Sequence, residues 1–140
     1  MPENQASGKT VIEQRLTKVL ARVRSAEQTY GRESGSVQVL PVSKTRPAED
    51  IATVADLQLP GVGCDFGENY LQEAVQKIEQ LAGRFADREL RWHFIGPIQS
   101  NKTQPIAQLF QWVHSVDRLK IARRLSEQRI VGSSGHNAWL

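Results

Sequence analysis

The stretch Val37–Lys44, with the sequence VQVLPVSK, decides how this 140-residue chain is organised. It is rich in β-branched and apolar residues and lies between the polar segment 31–36 and the polar segment 45–47. This pattern predicts a buried β-strand over residues 37–44. Alternation along a strand would place Leu40, Val42 and Lys44 on one face, so that the lysine ends a mostly apolar row.

A lysine in that position has two interpretations. An amine desolvated beside apolar neighbours loses proton affinity, and a neutral lysine can attack an aldehyde to form a Schiff base. Alternatively, Lys44 reaches water from the end of its strand and is an ordinary solvated ammonium group. The stretch alone leaves both interpretations open.

Four strand-helix units are predicted after an N-terminal amphipathic helix that Gly31 ends. The predicted strands are Val37–Lys44, Val62–Glu68, Leu90–Gly96 and Trp112–Val116, and the helices that follow them begin near Pro47, Tyr70, Thr103 and Arg118. Repetition of this unit indicates an α/β fold with a parallel sheet and helices outside it. The sheet is predicted to be either part of a (β/α)₈ TIM-type barrel or an open doubly wound sheet.

Polar residues recur where each predicted strand ends, at the edge of the sheet where parallel α/β proteins build their sites. They are Lys44, Glu68 with Asn69, Gly96 with Gln99 and Asn101, and Ser115. For two residues at or near this edge, Asn69 and His93, a purely structural role is an alternative to a role in a site. Asn69 could cap the next helix in a capping box with Gln72, and His93 could be a satisfied structural histidine that does not face Lys44.

The composition limits the classes of function. The net charge of +3 and the isoelectric point near 9.3 come from scattered charges, which predicts no nucleic-acid partner. The sequence has no apolar run long enough to predict insertion into a membrane. Its single cysteine, Cys64, cannot form an internal disulfide, which predicts a reduced, cytoplasmic location. Cys64 itself is predicted to be a small buried hydrophobic residue. No zinc spacing, P-loop, dinucleotide loop or nucleophile elbow is present in the sequence, so no metal ligands are predicted.

Five motifs in order make the chain resemble the pyridoxal phosphate homeostasis proteins over residues 10–129. They are Val42–Thr45 (VSKT), Phe66–Tyr70 (FGENY), Trp92–Gly96 (WHFIG), Gln99–Lys102 (QSNK) and Val116–Leu119 (VDRL). That family looks like the barrel domain of bacterial alanine racemase standing alone. The resemblance implies pyridoxal 5′-phosphate (PLP) as the cofactor, held as a Schiff base on Lys44, with Asn69 and His93 near its ring.

The resemblance also implies a role in keeping free PLP in balance, with PLP-dependent apoenzymes as partners and no established catalysis. Two other functions remain open: a racemase-like PLP enzyme, and a phosphate-ligand or protein-interaction module without Schiff-base chemistry. The enzyme would need an acid/base group on the opposite face of the cofactor, which the sequence does not offer.

The resemblance ends near residue 129. Residues 130–140 do not look like the family's continuation, so the domain is predicted to be residues 1–129 with a disordered tail at 130–140. In the family, the phosphate cradle comes from later strands, and a complete barrel of this type needs roughly 200 residues or more. The chain is therefore predicted to be truncated, to bind PLP less tightly than a longer relative, and to self-associate through exposed barrel edges.

Overall fold

The computed structural model describes residues 3–129, and the predicted disordered tail at 130–140 lies outside the described residues. The helices are α1 (Glu3–Thr29), α2 (Ala48–Leu57), α3 (Leu71–Leu81), α4 (Thr103–Leu109) and α5 (Leu119–Gln128), with a short 3₁₀ helix at Ser100–Lys102. The strands are β1 (Asp65–Glu68), β2 (Arg91–Phe94) and β3 (Trp112–Val113). The alternation of strands and helices confirms the predicted α/β class.

The three strands form one parallel sheet in the order β1-β2-β3. Helix α3 connects β1 to β2, and α4 connects β2 to β3, as parallel neighbours require. In the register of the sheet, Gly67 is opposite His93, and His93 is opposite Trp112. These three residues therefore lie in one row across the same face of the sheet.

The segment 37–44 is extended beside β1, but the prediction of a regular strand there is wrong. Only Val42 forms a bridge, with Gly67, and Pro41 has no N–H to contribute to a ladder. The segment forms its backbone hydrogen bonds on one side only. The Val39 N–H donates to the Gly61 carbonyl at 2.8 Å, and the Ser43 N–H donates to the Gly67 carbonyl at 2.9 Å. The segment is consequently an irregular edge of the sheet.

The other strands are shorter than predicted. The predicted strand Val62–Glu68 begins only at Asp65, because Gly61 and Gly63 have φ angles of 89° and 68° and form a turn. Cys64 lies in this turn and is partly buried, so its predicted place inside a strand is wrong. The predicted strands Leu90–Gly96 and Trp112–Val116 shrink to the residues that pair in the sheet.

The hydrophobic core lies between one face of the sheet and the helices. Phe66, Trp92 and Phe94 alternate with the row that contains Gly67 and His93, and they pack against apolar residues of the helices. The helical members that are almost fully buried are Ile51, Ala52, Ala55, Ala74, Ile106, Ala107 and Ile121. The row on the opposite face is more open, since 48% of Val42 and 52% of Trp112 are exposed.

Helix α1 ends as the glycine signal predicts. Gly31 has a φ of 66°, and the Arg32 N–H donates to the Glu27 carbonyl at 2.8 Å in a Schellman-type end. The buried Glu27 carboxylate then accepts the N–H groups of Gly35 and Val37 at 2.8 Å and 3.0 Å. These bonds fix the point at which the chain enters the extended segment.

No helix within residues 3–129 is both long enough and apolar enough to cross a lipid bilayer.

Candidate functional site

Lys44 lies two residues beyond the Val42 bridge, at the carboxyl edge of the sheet. Its side chain is exposed, and nothing within the described part of the chain pairs with its ammonium group. Of the two interpretations of Lys44, the structure therefore shows the solvated one, since the apolar row before it is itself half open to water. The amine is accessible from solvent and held by no competing partner among the residues described.

Asn69 occupies the equivalent position on the next strand, two residues beyond Gly67. It is partly buried and lies against Gly96, where an added Cβ would be 2.3 Å from the Asn69 carbonyl oxygen and 2.7 Å from Oδ1. Only glycine at position 96 leaves room for Asn69. Helix α3 has Tyr70 as its N-cap without a side-chain bond, so the capping-box alternative for Asn69 is wrong.

His93 is buried on β2, in the same row as Val42 and Gly67. Its Nε2 atom is 2.8 Å from Asp65 Oδ1, and its Nδ1 atom is 2.9 Å from His114 Nε2. The ring also stacks on Trp112 with 5.7 Å between centroids and 9° between planes. Both ring nitrogens thus have partners inside the protein, as expected for a satisfied structural histidine, although the residue faces the predicted side of the sheet.

The groups on either side of His93 have shifted pKa values. Burial lowers the pKa of His114 below its usual 6.5, and the nearby His93 lowers it further by repulsion. At Asp65, burial opposes ionisation, but hydrogen bonds and charges from Arg91 and His93 outweigh it and lower the pKa below 3.8. Asp65, His93 and His114 form a hydrogen-bonded chain along one face of the sheet.

The lowered pKa of His114 predicts a loss of stability in mild acid. The unfolded chain binds a proton with the usual pKa of 6.5, whereas the folded chain resists it, so the contribution is complete above pH 6.5 and is lost as the pH falls toward the lowered value. We expect the free energy of unfolding to fall between pH 7.5 and 5.5, and His114→Gln to reduce this slope. Urea titrations at both pH values measure it; an unchanged slope in the variant would contradict the assignment.

A buried polar network lies behind Lys44, on the helix side of the sheet. Glu68 is fully buried, and its Oε1 atom accepts from Ser43 Oγ at 2.7 Å and from Lys77 Nζ at 2.8 Å. Lys77 is 5% exposed and also donates to the Ser43 carbonyl at 2.6 Å. Glu68 therefore points away from the predicted polar edge, and its expected convergence with Lys44 is wrong, because strand alternation turns it toward α3.

Glu73 extends this network to the turn after Lys44. Its Oε1 atom is 2.7 Å from Lys77 Nζ and accepts the Thr45 N–H at 2.6 Å. The hydrogen bond from Lys77, although opposed by burial, helps to lower the pKa of Glu73 below its usual 4.5. The sequence contained a signal for the Glu73–Lys77 pair. Lys77 lies between Ala74 and Leu81 on the apolar face of α3, where a charged residue needs a partner, and Glu73 is four residues before it.

The structure brings some of the predicted site residues together and separates others. Lys44 and Asn69 lie at the same edge on neighbouring strands, while His93 lies one step further back on β2. Ser115 donates from Oγ to the Gly96 carbonyl, so it stabilises the loop beside Asn69. Gln99 and Asn101 are exposed.

No group of three or more His, Cys, Asp or Glu side chains in the described ranges is arranged to hold a metal ion.

Comparison with known proteins identifies relatives with one shared name. The chain is 58% identical over 123 residues to the pyridoxal phosphate homeostasis protein of Pseudomonas aeruginosa, covering 88% of this chain and 50% of that protein. It is 51% identical to the Vibrio cholerae protein of the same name and 42% identical to that of Escherichia coli strain K12, covering 86% and 84% of this chain. No family model matches the chain.

The chain matches about half of each pyridoxal phosphate homeostasis protein. The resemblance predicted from the five motifs is thereby confirmed for this part of those proteins. The chain covers 49% of the Vibrio cholerae protein and 48% of the Escherichia coli one.

Solved structures are also similar to this chain. An unknown protein from Bifidobacterium adolescentis superposes with a TM-score of 0.76 at 32% identity, covering 86% of this chain and 50% of that one. PipY of Synechococcus elongatus, solved with PLP bound, superposes with a TM-score of 0.58 at 34% identity. That match covers 75% of this chain and 46% of PipY.

Proposed function

We propose that this chain binds pyridoxal 5′-phosphate through a Schiff base on Lys44 and serves PLP homeostasis without catalysis of its own. The observation that carries the proposal is the accessible amine of Lys44 at the carboxyl edge of a parallel sheet, with no competing partner among the described residues. PipY, a structural relative at 34% identity, has been solved with PLP bound. When bound, PLP supplies an aldehyde that condenses with a primary amine.

The residues around Lys44 fit a flat, polar ring. Asn69 offers an amide at the edge of the sheet, and the absence of a side chain at Gly96 leaves room for Asn69 in this position. The row behind it contains His93 and the partly exposed Trp112, whose stacked rings form a planar wall. We propose that Asn69 contacts the ring or its hydroxyl, while His93, with both nitrogens engaged, orients His114 and supports this wall.

We further propose that the sheet and its helices are part of a (β/α)₈ barrel of the alanine racemase type. Three parallel strands, an extended fourth segment and helices packed on one face support this architecture. In such a barrel the row of Val42, Gly67 and His93 would face the interior. The proposal includes a cytoplasmic location and transfer of PLP to apoenzymes as the use of the bound cofactor.

The proposal is tested by mixing the 140-residue protein with PLP, recording the Schiff-base absorbance, reducing with borohydride and mapping the adduct by peptide mass. An adduct on Lys44 supports PLP binding at the proposed site. Turnover of an amino acid by the loaded protein would instead favour a racemase-like enzyme. Absence of both adduct and turnover would leave a module that does not use Schiff-base chemistry and would overturn the proposal.

Exposed sheet edges lead us to expect self-association of the isolated chain. The Leu40 and Val42 N–H groups have no backbone partner among the described residues, and Val42 exposes 48% of its surface. An unpaired edge with apolar side chains invites pairing with a second copy. We expect dimers or larger species in light scattering, and weaker association in Val42→Lys.

The control for this experiment is Val11→Lys, which adds the same charge at a residue of α1 that is 41% exposed and lies outside the edge. Association should persist in the control. A monodisperse monomer of the parent chain at micromolar concentration would contradict the expectation.

A further inference from the structure

The backbone on both sides of Lys44 is held by the same helix. Lys77 Nζ donates to the carbonyl of Ser43 at 2.6 Å, and the Glu73 carboxylate accepts the N–H of Thr45 at 2.6 Å. Both side chains belong to α3, which packs on the helix-covered face of the sheet. Lys44 itself is exposed between these two fixed points.

Thr45 adopts a conformation that needs such support. Its φ angle of 63° lies in the left-handed region, which a β-branched residue rarely adopts. A residue stays in this region only where its surroundings hold it there. The Arg46 N–H closes the turn by donating to the Ser43 carbonyl at 3.1 Å, so the turn is tied to the same oxygen that Lys77 contacts.

The supporting side chains are also tied to one another. Lys77 Nζ is 2.7 Å from Glu73 and 2.8 Å from Glu68, whose carboxylate in turn accepts from Ser43 Oγ. Lys77 is 5% exposed and Glu68 is fully buried, so these bonds form in a region of low dielectric where they are strong. We call the set of Ser43, Glu68, Glu73 and Lys77 the α3 brace.

We infer that the α3 brace positions the amine of Lys44 for reaction with an aldehyde, so that Glu73 and Lys77 are positioning residues for the proposed PLP site. The inference rests on the proposed function and deepens it. The reaction joins the Lys44 nitrogen to the aldehyde carbon and releases water, so it requires no oxidant or other co-reactant. A fixed turn limits the positions that the nitrogen samples, which raises its effective concentration at the edge of the sheet.

Loss of the α3 brace should act on the position of the Lys44 amine and not on its chemistry. Release of the Thr45 N–H frees the turn that bears Lys44, so Schiff-base formation should become slower by the same factor at every pH. A uniform factor across the pH range therefore distinguishes positioning from a change in the amine itself.

The experiment compares three variants of the 140-residue chain: Glu73→Ala, Glu73→Gln and the control Glu79→Ala, an exposed residue of the same helix. The rate of Schiff-base formation with PLP is measured from pH 7 to pH 10. We expect the rate in Glu73→Ala to be about tenfold lower at all pH values, a smaller loss than the roughly hundredfold that a 1 Å misplacement of reacting groups can cost. Glu73→Gln should lose less, because an amide oxygen can still accept the Thr45 N–H, and the control should match the parent.

Amide hydrogen exchange at Thr45 gives a readout that does not depend on PLP. Exchange should be faster in Glu73→Ala than in the parent, with unchanged circular dichroism. A folded Glu73→Ala variant that reacts at the parental rate, or faster at neutral pH, would overturn the inference while leaving Lys44 as the PLP residue. A parent chain that forms no adduct at Lys44 would overturn the proposed function instead.

Discussion

Lys44→Ala is expected to remove the borohydride-stable PLP adduct from the peptide that contains residue 44 and to abolish the Schiff-base absorbance that this lysine produces. The physical reason is that alanine has no amine to condense with the aldehyde. The proposed contacts between Asn69 and the PLP ring are not covalent, so they cannot replace this bond. The side chain of Lys44 is exposed and has no partner among the described residues, so the fold should stay intact. Absorbance, peptide mass and circular dichroism measure the three consequences.

Lys102→Ala is the matched control for this experiment. Lys102 is also exposed, but it ends the 3₁₀ helix Ser100–Lys102 and is not on the extended segment that bears Lys44. Its replacement should leave the adduct on residue 44 unchanged. A Schiff-base signal of parental strength in Lys44→Ala, with the adduct found on another residue of the folded protein, would refute the assignment of Lys44.

Lys77→Met is expected to destabilise the fold more than any surface substitution. The change leaves the fully buried Glu68 carboxylate without its cation, and Glu68 Oε2 already has no hydrogen-bond partner among the described residues. Removing one partner of a buried ion pair costs about 3–5 kcal/mol, which is a large part of the roughly 5–15 kcal/mol that stabilises a typical domain. Urea unfolding followed by tryptophan fluorescence measures the loss.

Two further variants separate the buried charge from lost packing. Lys120→Met removes a lysine that is exposed on α5 and should change the free energy of unfolding little. The double change Glu68→Gln with Lys77→Met removes both charges and should recover part of the stability lost in the single variant. Equal unfolding midpoints for Lys77→Met and the parent would show that the pair does not stabilise the fold.

The sequence determined the order and type of the main elements. Period-3.6 spacing located the helices that follow Pro47, Tyr70 and Arg118, and Gly31 ended α1 with the predicted left-handed residue. These features follow from local rules of backbone and side-chain geometry, so they can be predicted from a single amino-acid sequence. The motifs around Lys44 and Asn69 likewise pointed to the relatives that the comparisons found.

The tertiary structure decided what the local pattern could not. Residues 37–44 look like a buried strand, but Pro41 interrupts the ladder and no second strand pairs with the segment within the described residues; Lys44, at its end, is exposed. Similarly, Lys77 reads as an i, i+4 partner of Glu73, yet only packing of α3 against β1 brings it to Glu68 and to the turn beside Lys44. Burial and partner choice depend on contacts between residues far apart in the chain, and for that physical reason the sequence determined the position of Lys44, while only the tertiary structure decided its exposure and its support.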